Sequence, residues 1–400
     1  MLCFGKILFG GRYLNNKNVI LLGVGDVAPM TFSPKWEHLI ERIRGKESIF
    51  KNVSSILKKA DIAFCQLEIP LTDRNIISSL PQARRSEYSR TDLAYAIKDA
   101  GFSVVSFASN HCMDWGMEAF FDTIDALKKA GLYIVGVGKN IEEARRPVVI
   151  EVKGTKIAFL AYNSILPMGY WATENRPGCA PLRVWTVYEP IEPDQPGTPC
   201  RIHTFPHIED REAMINDIKE TKSRADVCIL SFHWGIHFVP AVIADYQKEI
   251  AHAAIDVGAD LVLGHHSHIL KPVEVYKGRV IFYSLSNFAV DLPFTREMLM
   301  DKSFKEIQKL NPDWIPDPDS LYNFPPDSEK SIVVKCEIIK GIIQKVSFLP
   351  VYIDRRTAMP EFLTYKDKRF EEVIKYMERI TQNQGFKTRY LVDGDEVIPC

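Results

Sequence analysis

The stretch GADLVLGHHSHILKPVEVYKGRVIFYSLSNF, residues 258–288, contains the two patterns that decide the fold. Its first part has a short apolar run that predicts a buried strand and ends in three histidines within four residues. Its second part, residues 272–288, predicts a β-hairpin that turns at Lys277-Gly278. Three imidazoles this close repel one another when charged, unless a cation or their neutrality relieves the crowding. The stretch therefore indicates a sheet with a histidine cluster at the end of a strand.

The same arrangement, an apolar run that ends in polar side chains, occurs at four other places in the chain. These places are Gly25-Asp26, Gln66-Leu67-Glu68, Ser109-Asn110-His111 and Phe232-His233-Trp234-Gly235. In open α/β sheets the carboxyl ends of the strands meet at one crevice, so we expect these side chains to lie together. Each cluster alone has a plain structural explanation, such as a turn at Asp26 or a core histidine at His233. Their joint occurrence at strand ends is what indicates a metal site.

The residue types in these clusters narrow the chemistry. Carboxylate and imidazole ligands together suit Mn, Zn or Fe, and the sequence does not distinguish among these ions. Two ions about 3.5–4 Å apart activate water and stabilise an in-line displacement on phosphorus. The sequence therefore predicts two divalent metal ions as cofactors.

The rest of the chain predicts a mixed α/β protein with two sheets. Helical periodicity is present at residues 91–101, 117–130, 211–224 and 246–259, and further hairpins are predicted at 146–163 and 331–351. Two long stretches lack a clear period. Residues 164–208 are rich in aromatic side chains, Pro and Gly and predict a functional lid, whereas the role of 289–329 stays open.

Composition excludes several classes of protein. With 50 basic and 51 acidic residues among 400, the chain gives no electrostatic reason to expect nucleic acid or an anionic membrane as partner. No apolar span of 18 residues indicates a membrane anchor, and the first 26 residues do not have the pattern of a secretory signal. The eight cysteines form no C-x-x-C pair, which favours reduced thiols in a cytoplasmic protein. A small-molecule or peptide substrate is the expected partner.

Five segments carry a resemblance to a known family: GVGDVAP, FCQLEIPLT, ASNHCMDWG, SFHWG, and the opening stretch from GADLVLGHHSH to SLSNF. Over residues 23 to 288 they resemble, in order, the CapA or poly-γ-glutamate capsule-synthesis family of the calcineurin-like metallophosphoesterase superfamily. The resemblance implies a four-layer αββα sandwich, in which two mixed sheets pack face to face with helices outside. It also implies a single catalytic domain over residues 1–400, with insertions at 164–208 and 289–329 and a C-terminal extension at 352–400.

The resemblance further implies a role for each matching residue. Asp26 and His268 resemble first-metal ligands, Glu68 the bridging carboxylate, and Asn110, His233 and His266 second-metal ligands. His111 resembles the histidine that assists the leaving group, with Asp114 as the carboxylate that orients it. Asn287 is similar to a residue at the rim of the family's site. His265, Arg176 and Arg183 are candidates for substrate binding, the two arginines because a guanidinium binds a carboxylate bidentately.

Two departures from the superfamily pattern matter. Ala28 stands where a first-metal histidine is usual, so the first site has fewer protein ligands. His265 stands where the superfamily has Gly in its GHxH motif, so either His265 or His266 could bind metal. Three functions follow from the sequence: a metal-dependent hydrolase that uses a metal-activated hydroxide on a phosphoester, an amide or γ-glutamyl hydrolase with the same site, and a non-catalytic accessory protein of capsule biosynthesis.

Overall fold

The computed structural model describes residues 18–45, 47–74 and 88–400 of the chain. Cys3 and the rest of the segment before residue 18, on which part of the signal-peptide prediction depends, lie outside the described residues. Within the described ranges the strands are β1 Val19–Pro29, β2 Ile62–Leu67, β3 Val104–Ser106, β4 Tyr133–Val135, β5 Val137–Gly138, β6 Val148–Val152, β7 Thr155–Asn163, β8 Gly178–Cys179, β9 Val184–Pro190, β10 Cys200–Pro206, β11 Val227–His233, β12 Leu261–His265, β13 Val273–Tyr276, β14 Arg279–Phe282, β15 Asn287–Asp291, β16 Lys330–Ile339, β17 Ile342–Ile353, β18 Pro360–Phe362, β19 Tyr390–Asp393 and β20 Glu396–Pro399.

Helices connect many of these strands. The α-helices in the same ranges are α1 Glu37–Leu39, α2 Ser54–Leu57, α3 Leu93–Ala100, α4 Gly116–Lys129, α5 Ile141–Ala144, α6 Ile208–Lys222, α7 Asp245–Asp256, α8 Arg296–Met300, α9 Lys302–Leu310 and α10 Lys368–Asn383. Short 3₁₀ turns at Met30–Phe32 and Pro34–Trp36 and a π-helical turn at Ile40–Arg44 follow β1. None of the described helices is both long enough and apolar enough to cross a bilayer.

Two mixed sheets form the centre of the fold. The larger has ten strands in the order β19-β20-β17-β16-β1-β2-β3-β4, with β15 paired to β1 and β18 to β17. The smaller has six strands in the order β13-β14-β12-β11-β7-β6. The rings of Phe64 on β2 and Phe159 on β7 stack across the two sheets with centroids 5.7 Å apart, and both are almost fully buried. The core therefore lies between the sheets, and helices cover their outer faces.

This architecture confirms the predicted four-layer αββα fold. The three predicted hairpins are present as β6–β7, β13–β14 and β16–β17, with their turns at the predicted Lys-Gly pairs. The four predicted helices correspond to α3, α4, α6 and α7. Helices α6 and α7 pack against the smaller sheet through buried side chains such as Met214 and Ile250.

Parallel pairing aligns the strand ends that carry the candidate ligands. Strands β1, β2, β3 and β4 run parallel, as do β7, β11, β12 and β14 in the smaller sheet. Two glycines allow the backbones to approach at this edge. A Cβ atom on Gly25 would lie 1.9 Å from the carbonyl oxygen of Ser286, and one on Gly264 would lie 2.1 Å from that of Tyr283. Neither position can hold a side chain without moving the backbone.

Both long stretches that lack a clear period contain regular structure. In the second, residues 289–329, this structure includes α8 and α9. Residues 184–206 form the antiparallel hairpin β9–β10, which the sequence did not predict because its two strands lack an alternating apolar pattern. Most of their side chains are exposed on both faces of the hairpin, so no single face had to be apolar. Residues 352–400 add β18, β19 and β20 to the larger sheet.

We expect Phe159→Ala to destabilise the protein by about 3–5 kcal/mol, because it leaves a cavity where two rings stack between the sheets. Urea denaturation followed by circular dichroism measures the free energy of unfolding. Phe121→Ala is the matched control, since Phe121 lies on α4 with 39% of its surface exposed, and a change below about 1 kcal/mol is expected there. Equal losses for the two variants would contradict an inter-sheet core centred on Phe159.

Candidate metal centre

Glu68 lies at the centre of the clustered polar residues. It follows directly on the buried strand β2, and its side chain is buried as well. Its Oε1 atom lies 3.7 Å from Nε2 of His233 and 3.6 Å from Nε2 of His268. These histidines come from β11 and from the loop after β12, so Glu68 connects side chains from both sheets.

Two groups of potential ligands share this carboxylate. One consists of Glu68, His233 and His266, and the other of Asp26, Glu68 and His268. In each group the donor atoms lie within 4.8 Å of one another, and all the residues are buried. A carboxylate that belongs to two adjacent donor groups has the geometry of a ligand that bridges two cations. Each group contains both oxygen and imidazole donors, which suits Mn, Zn or Fe.

Asn110 extends the group that contains His233. Its Oδ1 atom lies 2.6 Å from Nε2 of His233 and can only accept a hydrogen bond, so Nε2 carries the proton as long as no cation lies between the two atoms. The loop that carries Asn110 is tied to β2 because the hydroxyl of Ser109 donates a 2.7 Å hydrogen bond to the carbonyl oxygen of Glu68. The group of Glu68, His233 and His266 therefore has four donor residues when Asn110 is included.

The backbone after β12 is strained where it presents its histidines. His266 has a φ of 86° and His268 a φ of 55°, in the left-handed region that residues with a side chain rarely adopt. Such a conformation costs on the order of 1–3 kcal/mol per residue and persists only where the surroundings enforce it. The backbone N–H of His266 donates a 3.0 Å hydrogen bond to Oδ2 of Asp26, and this bond helps to hold the unfavourable conformation.

A chain of hydrogen bonds sets the orientation of His268. Its Nδ1 lies 2.8 Å from Oδ1 of Asn287, which can only accept, so Nδ1 carries the proton and Nε2 presents its lone pair towards Glu68. The amide of Asn287 donates in turn to the hydroxyl of Tyr322, 2.8 Å away, and that hydroxyl donates to the carbonyl of Ser328 at 2.5 Å. Asn287, predicted at the rim of the site, thus contacts His268 directly. This is the usual arrangement by which a neighbouring group orients a histidine ligand.

Burial determines the charge state of the donors. It raises the pKa of Glu68 to about 7 and raises that of Asp26 well above its usual range, in both cases mainly by desolvation. It lowers the pKa of His233, of His266 and of His268 for the same reason, so these imidazoles are neutral near pH 7. Neutral imidazoles offer lone pairs to a cation. A carboxylate that is ionised in this buried setting requires a nearby cation to compensate its charge.

The unsatisfied atoms of the cluster fit this chemistry. Oδ1 of Asp26 and Oε1 of Glu68 are buried and have no hydrogen-bond partner in the described part of the chain. Nδ1 of His266 is in the same situation. Buried polar atoms without partners are rare in folded proteins and call for an explanation such as a bound ion. The residues present therefore fit a bound metal.

His111 and Asp114 form a separate pair beside the cluster. Nδ1 of His111 lies 2.6 Å from Oδ2 of Asp114 and donates a hydrogen bond to that carboxylate. The other oxygen of Asp114 accepts a 2.8 Å hydrogen bond from the hydroxyl of Tyr170. Asp114 and Tyr170 are buried, but 24% of the His111 side chain is exposed. The ring is therefore oriented by its partner and remains accessible to a ligand.

The other predicted residues lie in different surroundings. His265 is fully buried, its Nδ1 lies 3.6 Å from Oδ1 of Asp26, and neither ring nitrogen has a hydrogen-bond partner among the described residues. Burial lowers its pKa to about 3. Arg183 is bound by Asp210 through a bidentate pair at 2.7 and 2.8 Å. Arg176 lies over the ring of Trp171 and donates to its carbonyl oxygen. The donor groups described above include neither arginine and contain His266 in place of His265.

Sequence reasoning missed several residues around the cluster. The ring centroid of the exposed His237 lies 3.9 Å from that of His266, and the ring of Phe324 lies 4.8 Å from that of His268. Tyr322 and Phe324 belong to the stretch 289–329, whose role the sequence left open, and they form a wall of the site. The spacing of His237, four residues after His233, was the only signal of its position available in the sequence.

Comparisons with known proteins show the family of the chain. The family model described as "Bacterial capsule synthesis protein PGA_cap" matches residues 20–292. The PGA biosynthesis protein CapA of Bacillus subtilis is 32% identical over 276 residues, which cover 68% of this chain and 63% of that one. The capsule biosynthesis protein CapA of Bacillus anthracis is 28% identical over 295 residues, which cover 71% and 63%. The chain thus spans about three-fifths of the length of these curated relatives.

One similar solved structure is the calcineurin-like phosphoesterase YfkN from Bacillus subtilis. It is 14% identical, the match covers 92% of this chain and 97% of that one, and the TM-score is 0.37.

Metal binding is expected to release protons in a pH-dependent way. Because the pKa of Glu68 is raised to about 7, its carboxyl is largely protonated at pH 6 and largely ionised at pH 8 when no metal is present. Mn²⁺ must displace that proton, so we expect more proton release at pH 6 than at pH 8, and an affinity that rises with pH through 7. Calorimetric titration in two buffers of different ionisation enthalpy measures the protons released.

Glu68→Gln is the matched variant for this experiment, because it keeps the shape of the side chain and removes the titrating group. We expect it to bind Mn²⁺ more weakly and to lose most of the difference in proton release between the two pH values. Proton release that is the same at pH 6 and pH 8 in the unmodified protein would contradict the role given to Glu68.

Proposed function

The chain belongs to the bacterial capsule synthesis protein PGA_cap family, and we propose that it is a metal-dependent hydrolase that cleaves a phosphoester. The observation that carries this proposal is the position of Glu68 in both donor groups. Two cations held there would supply an activated water and Lewis-acid stabilisation for an in-line displacement on phosphorus. Asp26, Asn110 and the three histidines of the two groups would complete their coordination.

In this proposal His111 has a separate role. Its Nδ1 proton is held by Asp114, so its Nε2 is the nitrogen that can face a substrate. Once protonated at Nε2, the ring would donate that proton to the oxygen of the departing group and so avoid the release of an alkoxide. Asp114 stabilises the charged imidazole that this requires, and Tyr170 holds Asp114 in place through its hydroxyl. The pair would act on the leaving group while the metal ligands hold the phosphoryl oxygens.

A second candidate, hydrolysis of a γ-glutamyl or related amide, is favoured by the relatives' names, which refer to capsule and PGA biosynthesis. An activated water can attack a carbonyl carbon as well as phosphorus. The arginines that would bind a glutamyl carboxylate give it less support, because Arg183 is occupied by Asp210 and Arg176 lies over Trp171. Release of glutamate from γ-glutamyl peptides would favour this candidate over phosphoester cleavage.

A non-catalytic role as an accessory protein of polyglutamate synthesis is the third candidate. It predicts that the buried donors hold less than one tightly bound ion per chain after gel filtration. The proposed hydrolase requires close to two, and elemental analysis of the purified protein distinguishes the two outcomes.

We expect His111→Ala to lower kcat by roughly 10²–10⁴-fold on phosphoesters with a poor leaving group, because proton donation to the departing oxygen is lost. Phenyl phosphate has such a leaving group, whereas p-nitrophenyl phosphate has a good one and should lose much less. Assays of both substrates with the Mn²⁺-loaded protein measure this difference, and elemental analysis should find the metal content unchanged.

His203→Ala is the control, because His203 is an exposed histidine on β10 that pairs with Glu189. It should leave both rates unchanged. The proposal is wrong if the unmodified protein, with two ions bound, cleaves neither these esters nor phosphodiesters. An equal loss on both substrates in His111→Ala would remove the leaving-group role from His111.

A further inference from the structure

The loop between β11 and α7 brings an unassigned histidine to the mouth of the metal centre. His237 is exposed, yet its ring centroid lies 3.9 Å from that of His266 and 5.1 Å from that of His268. These two histidines belong to different donor groups, and their own centroids are 6.2 Å apart. The ring of His237 therefore lies over the gap between the groups on the side that faces solvent, where a substrate would enter.

His237 is not itself a member of either donor group. The groups whose donor atoms lie within 4.8 Å of one another contain Asp26, Glu68, His233, His266 and His268. His237 contacts two candidate ligands without belonging to either donor group. It is therefore placed to contact a substrate that binds to the cations. An imidazole carries at least one N–H donor for that purpose.

The loop holds this position through specific contacts with the histidine segment. Phe238 and Ala241 have φ values of 53° and 60°, in the left-handed region. The backbone N–H of Phe238 donates to the carbonyl of Ser267, and the ring of Phe238 stacks on His268 with centroids 5.7 Å apart. The conformation of the loop directly after His237 is thus coupled to the residues that present the candidate ligands.

A buried lysine binds the far end of the same loop. Lys271 is 1% exposed, and its ammonium group donates hydrogen bonds to the carbonyl oxygens of Val239 and Val242, the latter at 3.0 Å. Lys271 follows three residues after His268, so one short segment carries two candidate ligands and the anchor of the loop. Burial lowers the pKa of Lys271 to about 7, and the two loop carbonyls satisfy two of the donors of its buried amino group.

We propose that His237 is a substrate-contacting residue that donates a hydrogen bond to an oxygen of a tetrahedral oxyanion, a phosphoryl group or inorganic phosphate, bound at the metal centre. Lys271 is a positioning residue that keeps the loop of His237 against the histidine segment. This inference rests on the proposed phosphoester chemistry and identifies a residue that recognises the phosphoryl group apart from the metal ligands.

Inorganic phosphate is the probe, titrated calorimetrically into the Mn²⁺-loaded protein of 400 residues. We expect His237→Ala to raise the Kd for phosphate by roughly 10- to 100-fold, the loss typical of a hydrogen bond to a charged group, with an unchanged number of bound Mn²⁺ ions. His237→Gln, which keeps an N–H donor, should recover part of the affinity. His203→Ala is the matched control and should bind phosphate as the unmodified protein does.

Lys271→Met keeps the length of the side chain and removes the ammonium group. We expect it to raise the Kd for phosphate, by less than His237→Ala does, with no further loss when the two changes are combined. A lower melting temperature with an unchanged Kd would show that Lys271 serves stability alone and would remove its positioning role.

Three results would overturn the inference: an unchanged Kd in His237→Ala, a loss of bound Mn²⁺ in that variant, which would make His237 a metal ligand, or no phosphate binding by the unmodified protein. The failure of the proposed function gives a different result. Unmodified protein that binds phosphate through His237 and yet cleaves no phosphoester would refute the hydrolase and leave the binding role of His237 in place.

Discussion

The carboxylate of Glu68 is buried between imidazoles from the smaller sheet, and the rest of the site is built around that constraint. An ionised carboxylate in such surroundings is expensive unless a positive charge compensates it. Neighbouring imidazoles cannot supply that charge, because burial lowers the pKa of His233, of His266 and of His268. A bound cation would resolve the conflict, since it would compensate the carboxylate and accept the lone pairs of the neutral imidazoles.

The two sheets are arranged to hold these donors close together. Glu68 and Asp26 come from the larger sheet, and His233, His266 and His268 come from the smaller. Gly25 and Gly264 let the strands approach the segment 283–286 more closely than any side chain would permit. His266 and His268 adopt unfavourable backbone conformations at the same edge. Such strain is maintained by the packed strands around it, which is a common feature of functional sites.

The sequence predicted which donor residues lie together, because each of them ends or closely follows a parallel strand and such a strand can be recognised from a single apolar run. Their role as metal ligands stays a prediction. Asn287 was placed at the rim without a role, since its bond to His268 depends on a register between strands that no local pattern reveals. Tyr170, His237 and Tyr322 were missed for a related reason. They reach the site from irregular segments whose paths are set by tertiary contacts. The exposed hairpin β9–β10 was not predicted because neither of its faces had to be apolar, so its strands show no alternating apolar pattern.

The two donor groups differ in a way that bears on their chemistry. The group around His233 and His266 has four donors when Asn110 is included, whereas the other has Asp26, Glu68 and His268. Ala28, buried on β1, supplies no ligand where the wider superfamily has a histidine. A cation with three protein ligands keeps an open coordination position, as catalytic zinc sites do, whereas a closed set of four is typical of structural sites. If the proposed hydrolase holds two ions, the one held by Asp26, Glu68 and His268 would be the one with room for water. His237 lies over the gap between the two groups, so a substrate that reaches the open position must pass next to its imidazole.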